Sequence, residues 1–131
     1  MFSLQVIDRT CFYFERRKLN YHEAQANCRT KFGQKHTGRL FEPRNFNVNN
    51  IIFDEAQSIL KNQNPYWIGL TDLGRGGGFK YASNGQIPEL LFRLNGGDVD
   101  EDNEHCIKLF GGKWHDELCH YVYSSICESP S

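Results

Sequence analysis

The sequence predicts an α+β domain whose two chain ends meet in one sheet. Three observations carry this. Helix-period apolar stripes occur twice in the first half, ending in Cys28 and Leu60. Short runs rich in β-branched and aromatic residues stand at both ends of the chain. Between Gln86 and Asn103 neither period is present, which predicts a long irregular loop.

Taken in order, Phe2-Ser3-Leu4-Gln5-Val6-Ile7 and Thr10-Cys11-Phe12-Tyr13-Phe14 read as two strands joined by a turn at Asp8-Arg9, with Cys11 in the second. Asn20 stands three residues before Glu23, the spacing of a reciprocal cap, and Tyr21, Ala24 and Cys28 follow at helical spacing, so Cys28 faces inward. Gly33 to Gly38 breaks this helix, and Gly38-Arg39-Leu40-Phe41 reads as a short strand ended by Pro43. A second helix is expected from Asn49 or Asn50, with Ile52, Phe53, Ala56, Ile59 and Leu60 on one stripe; Asn62 to Pro65 stops it. Tyr66-Trp67-Ile68-Gly69-Leu70 is too short for a helix and reads as a central strand buried on both faces.

Gly74 to Gly78 reads as a hairpin turn, since no Lys-Ser/Thr follows and no helix begins there, and Phe79-Lys80-Tyr81 returns as a strand turned by Ser83-Asn84-Gly85. After the long loop, Cys106 to Phe110, Gly112 to Asp116 and Tyr121 to Cys127 read as a three-strand meander. Glu128 to Ser131 reads as a frayed end.

A chain of 131 residues is the size of one domain, and a single domain over 1–131 is the expectation. Fifteen Lys+Arg against 16 Asp+Glu leave a net charge of -1, so no global field draws the chain toward nucleic acid or an anionic membrane. No apolar stretch approaches the ~20 residues a spanning helix needs. Met1 to Gln5 lacks the basic start and apolar core of a signal peptide, which suggests a trimmed start behind an added Met1. Cysteines at 11, 28, 106, 119 and 127 form no Cys-x-x-Cys pair. Such spacing favours disulfides, and with them a secreted or extracellular setting, over zinc or redox chemistry. Five is odd, and at this point the pairing is open.

The chemistry concentrates late in the chain. Asp98-Val99-Asp100-Glu101-Asp102-Asn103-Glu104 gathers oxygen ligands that repel one another unless solvated or bound to a cation, and Trp114-His115-Asp116 follows between Cys106 and Cys119. His105, His115 and His120 do not share a metal-binding helical spacing, and no nucleophile stands beside a base, so the chain does not read as an enzyme.

Cys28 at the end of the first helix, Trp67-Ile68-Gly69-Leu70, Cys106, Trp114-x-Asp116, Cys119 and Ile126-Cys127-Glu128 together resemble the C-type lectin-like domain. The resemblance covers essentially the whole chain. It implies two helices flanking antiparallel sheets with a long irregular loop, and bridges Cys28–Cys127 and Cys106–Cys119. The first would restrict the unfolded chain by roughly 4–5 kcal/mol in the loop-entropy account. It also implies that Cys11 pairs with a cysteine slightly upstream, where this sequence has none, leaving Cys11 free or available for a disulfide-linked homodimer.

For sugar-binding members the resemblance implies calcium held from the long loop, a glutamate before a cysteine, and an Asn-Asp pair, with sugar hydroxyls completing the shell. Asp98, Glu104 and Asp116 match three of those ligands; Gly96-Gly97 replaces the acidic or amide residue and its proline, and His115 replaces the asparagine. An imidazole nitrogen suits zinc or copper better than calcium. At a second calcium position Asp72 matches, while Gly76 and His105 stand where acidic residues would be, and Asp100, Glu101 and Asp102 are the candidates to substitute for them. The implied function is glycan recognition on the long-loop face by Asp98, Glu104, Trp114, His115 and Asp116, with calcium as the expected ion. The alternative is a calcium-independent domain that binds a protein or another non-sugar ligand.

Overall fold

A computed structural model describes residues 4–7, 9–33, 36–61, 63–72, 78–88 and 105–130. In chain order they form β1 (Leu4–Ile7), β2 (Thr10–Leu19), α1 (Tyr21–Cys28), β3 (Arg39–Leu40), α2 (Phe46–Ile59), β4 (Tyr66–Thr71), β5 (Lys80–Tyr81), β6 (Cys106–Phe110), β7 (Lys113–Glu117) and β8 (Tyr123–Ser129). The sheet runs β1-β2-β8-β4-β6-β7, with β3 added to β8 and β5 to β4. All pairs are antiparallel except β4 with β8. The expected α+β class is therefore present as two helices on a mixed sheet, and the two ends of the chain do meet, β2 against β8.

Strand β4 shows why two helices are needed. Its side chains alternate across the sheet, as the pleat requires. Tyr66, Ile68 and Leu70 join a core that includes Phe14, Phe41, Ile52, Ala56 and Trp114, on the α2 side. Trp67 goes the other way, to Tyr21, Ala24, Cys28 and Cys127 of the α1 side, and its indole N–H donates to the Leu19 carbonyl at 2.9 Å. Both faces are thus covered, which is why this strand reads as an unbroken apolar run. Gly69 interrupts that run for a steric reason: a Cβ there would lie 2.6 Å from the Leu40 carbonyl oxygen. The close approach lets the Gly69 N–H donate to Phe41 at 2.7 Å, tying the segment after β3 across β4.

Helix α1 has the expected reciprocal cap: Glu23 N–H donates to Asn20 Oδ1 at 2.9 Å, and Asn20 N–H to Glu23 Oε1 at 3.0 Å. Helix α2 begins three residues before the expected start. Its cap is Asn45, which accepts from the Val48 N–H at 2.9 Å. Asn49 is not a cap but a buried bridge, accepting from Trp114 Nε1 at 3.0 Å and donating to the Gly112 carbonyl at 2.9 Å.

Three further expectations are corrected. Strand β2 continues to Leu19 through the exposed residues Arg16, Arg17 and Lys18, with Arg16 donating to the Ile59 carbonyl at 3.0 Å and Arg17 to Asn27 Oδ1 at 2.8 Å. The late meander stops at the β6–β7 hairpin, because β8 leaves β7 and inserts between β2 and β4. The end of the chain is not frayed at Glu128 and Ser129, which are 5% exposed within β8. The turn at Gly74 to Gly77, the start of the first strand and the loop from residue 89 to 103 lie outside the described residues.

Candidate functional site on the outer strand of the sheet

The β6–β7 hairpin carries the described part of the expected site. Cys106 bonds to Cys119 and Cys28 to Cys127, each with Cα atoms 5.3 Å apart, so the hairpin is clamped to the chain beyond it and α1 to β8. Cys11 carries no disulfide; it stands opposite Val6 in the first hairpin.

The β6–β7 register sorts the expected residues by face. Leu109 opposes Trp114 and Ile107 opposes Asp116 on the core side, while Lys108 opposes His115 and Cys106 opposes Glu117 on the other. Trp114 is 2% exposed, and with its N–H on Asn49 it offers no face to a sugar. The expected contact role of Trp114 is therefore corrected to a core role; a tryptophan between glycine-rich turn and polar neighbours looks exposed only until its strand partner is known. His115 packs edge-on to the Phe110 ring at 5.4 Å between centroids. Burial, and then the Lys108 ammonium, push its pKa below the ordinary histidine value, which favours the neutral ring. His115 and Asp116 thus leave opposite faces of β7. Because β7 is the last strand of the sheet formed by the described residues, one ion could meet both only along its outer edge. Asp98 and Glu104 lie outside the described residues.

The second expected cation position has a different content. His105 Nδ1 lies 2.7 Å from Asp72 Oδ1, the Asp72 N–H donates to the His105 carbonyl at 3.0 Å, and Thr71 Oγ1 donates to the same carbonyl at 2.8 Å. An imidazole sits on one oxygen of the Asp72 carboxylate, so Asp72 and His105, the described residues of this position, do not by themselves fit calcium. Nor do His115 and Asp116 alone fit the first: calcium takes six to eight oxygens, and they offer one carboxylate and one nitrogen. Among the described residues, no group of three or more His, Cys, Asp or Glu side chains could hold a metal.

Sequence reasoning missed the group that holds this hairpin rigid. Glu117 accepts from the Lys108 ammonium, from Tyr123 Oη at 2.7 Å and from the Leu118 N–H at 3.0 Å. Burial alone would raise its carboxyl; the bonds from Lys108, Tyr123 and Leu118 together outweigh it and hold the pKa below the usual value. No local pattern shows that β8 delivers Tyr123 to Lys108 and Glu117, which lie on two other strands.

With this geometry in hand, the comparisons with known proteins are decisive. Residues 17–129 match the family described as Lectin C-type domain. The chain belongs to that family. It is similar to C-type lectin domain family 3 member A of Homo sapiens, 30% identical over 129 residues, covering 93% of this chain and 60% of that protein. The chain spans about three-fifths of the length of the first curated relatives it matches. Among solved structures it is similar to human lithostathine, with a TM-score of 0.83 at 17% identity and 98% of both chains covered. It also resembles the cow C-type carbohydrate-recognition domain of CD23 in the presence of GlcNAc2Man3 oligosaccharide, with a TM-score of 0.80 at 21% identity, covering 98% of this chain and 94% of that one. At these identities the structural likenesses establish the fold.

Proposed function

We propose that this chain is a non-enzymatic, extracellular glycan-binding domain that reads sugars along the outer edge of β7. The family match over 17–129, with Asp116 carried on the outermost strand of the described sheet, is the observation behind the reading. In this reading Asp98 and Glu104 join Asp116 around a calcium ion that would bind sugar hydroxyls, and His115 contacts the sugar from the other face. Glu117, Lys108 and the Cys106–Cys119 bridge keep the strand rigid beneath them. No helix among the described residues is long and apolar enough to cross a membrane.

Isothermal titration with calcium, with and without a panel of neutral monosaccharides and glycoproteins, tests the proposal. Heat from sugar only in the presence of calcium, abolished in Asp116→Ala, supports it; absence of heat from both ligands overturns it. His115→Asn supplies a hard oxygen in place of a neutral ring nitrogen, and calcium affinity is expected to rise about tenfold if the carboxylates already converge.

The Asp72–His105 bond favours a second reading, in which the domain keeps its loop face without calcium and binds a protein. A melting temperature that does not change on chelation, with retained binding of a protein ligand, would select it. A disulfide-linked homodimer through Cys11 belongs to the same proposal, and non-reducing electrophoresis tests it by the presence or absence of a doubled mass.

A further inference from the structure

On the α2 face of the sheet, away from the β7 edge, a cavity of 380 Å³ opens between the first hairpin, β3, the start of α2 and the end of β8. Phe12, Phe41 and Ile52, none more than 3% exposed, form its floor, with Phe12 edge-on to Phe41 at 5.6 Å between centroids. Ile7, Val48 and Ile51 form its walls, and Ile51 stays 46% exposed at the mouth.

A buried carboxyl interrupts this apolar lining. The register places Phe12 on one side of Glu128 and Arg39 on the other, so the three side chains stand in one row across β2, β8 and β3. The Glu128 side chain is 7% exposed and lines this cavity. Its two hydrogen bonds, from Arg39 Nε at 2.8 Å and the Glu42 N–H at 3.2 Å, both fall on Oε2, and no donor among the described residues reaches Oε1. A buried carboxylate oxygen ordinarily takes a donor of its own. Burial is accordingly the largest cause lifting the Glu128 pKa to about 7. The other charges on the lining are matched, because Arg39 pairs with Glu128 and Arg44 lies 3.2 Å from Glu42 Oε1. A charged ligand would bring an unmatched charge into this space; a neutral one with a single donor would not.

We infer that this cavity binds a neutral, largely apolar small molecule, held by one N–H or O–H group that donates to Glu128 Oε1. A volume of 380 Å³ is within the roughly 300–1,000 Å³ of ordinary ligand clefts. The assignment uses neither the β7 edge nor a metal, and it does not rest on the glycan reading.

Titration of the whole chain at pH 8, where Glu128 is ionised, followed by amide and carboxyl carbon shifts, tests the site. The probes are indole, 1-methylindole, tryptamine and indole-3-acetate: one ring system with a donor, without it, with an added cation and with an added anion. Indole is expected to shift Phe12, Ile52 and Glu128 and to bind at least about fivefold tighter than 1-methylindole, and tighter than either charged probe. Its donor favours the ionised carboxyl, so the Glu128 pKa should fall when indole saturates the cavity, and 1-methylindole should not lower it. Ile51→Lys, a change at the exposed mouth, should weaken indole at least about fivefold with an unchanged melting temperature. In Glu128→Gln the Arg39 and Glu42 donors keep the amide oxygen and turn the NH2 to the cavity, so the preference for indole over 1-methylindole should vanish. Equal affinity of the wild type for indole and 1-methylindole, tighter binding of tryptamine or indole-3-acetate at these residues, or indifference to Ile51→Lys would overturn the assignment. So would a Glu128 pKa that indole leaves in place, a preference that survives Glu128→Gln, or no shift up to about 5 mM indole.

Discussion

Glu117, on the outermost described strand β7, and Glu128, on the inner strand β8, are almost equally screened from solvent, at 7% and 5% exposed. Their carboxyls nevertheless move in opposite directions. At Glu117 three donors, one an ammonium, converge on a single carboxylate, and together they exceed the cost of burial. At Glu128 burial dominates and lifts the pKa to about 7, because its donors, Arg39 Nε and the Glu42 N–H, both fall on Oε2 and the carboxylate of Glu42 stands nearby. Glu42 in turn draws the Ser83 N–H, the Ser83 hydroxyl and Arg44 to itself. Solvent exposure alone does not decide the charge of a carboxyl: Glu128 lies deeper beneath the surface than Glu117 and its shared donors do not offset that burial, whereas at Glu117 the donors outweigh a shallower one.

The largest effect should come from removing the cation at the first of these. Lys108→Met leaves the Glu117 carboxylate buried with only Tyr123 and a backbone N–H, and destabilisation of about 3 kcal/mol is expected in urea unfolding at pH 7. A loss below about 0.5 kcal/mol would mean the pair behaves as a surface contact and the contrast with Glu128 is empty.

Glu128→Gln tests the other carboxyl through pH. A carboxyl whose folded pKa lies above its unfolded value stabilises the fold fully below the unfolded value and loses that contribution as pH rises through the folded one. The wild type should therefore match the variant near pH 4.5 and fall below it by on the order of 3 kcal/mol above pH 7, the two pKa values being about 4.5 and about 7. His115 works against this slope, since its lowered pKa makes its own contribution disappear as pH falls, so the wild type must be compared with Glu128→Gln rather than read alone. A difference that stays flat from pH 5 to 8 would remove the assigned shift. Glu117, held low, contributes stability above the ordinary carboxylate pKa that is lost as pH falls below it, in both proteins.

What could be read beforehand follows from the range of the interactions. The α1 cap spans three residues and the β4 apolar run is contiguous, so both were legible, as were the two runs of the first hairpin on either side of Asp8-Arg9. Asn49 with Trp114 and Arg39 with Glu128 are 65 and 89 residues apart, and no local pattern announces them. The same distance effect moved two readings. Glu128 looked like part of a loose tail because its partners in β3 were unknown, and Trp114 looked like a sugar platform because Asn49 on α2 was unknown. Of the expected glycan contacts, His115 and Asp116 are placed, on opposite faces of one strand, an outcome that follows from the period of two once β7 is known to be a strand through both of them.

The smallest expected effect is also the most discriminating. Tyr123→Phe removes one donor from Glu117 and leaves Lys108 in place, at a cost of about 1 kcal/mol, since the ring itself stays packed edge-on to Trp67 at 5.1 Å. If unshared donors set the charge of a buried carboxyl, this deletion must raise the Glu117 pKa. Ser83→Ala, which takes one donor from Glu42, should push the Glu42 N–H and Arg39 no closer to Glu128 and leave the Glu128 titration where it is. Carboxyl carbon shifts followed through pH in the two variants read both groups directly. A Glu117 titration unchanged in Tyr123→Phe would assign its low pKa to the Lys108 charge alone, and the account by donor count would give way to one by net charge.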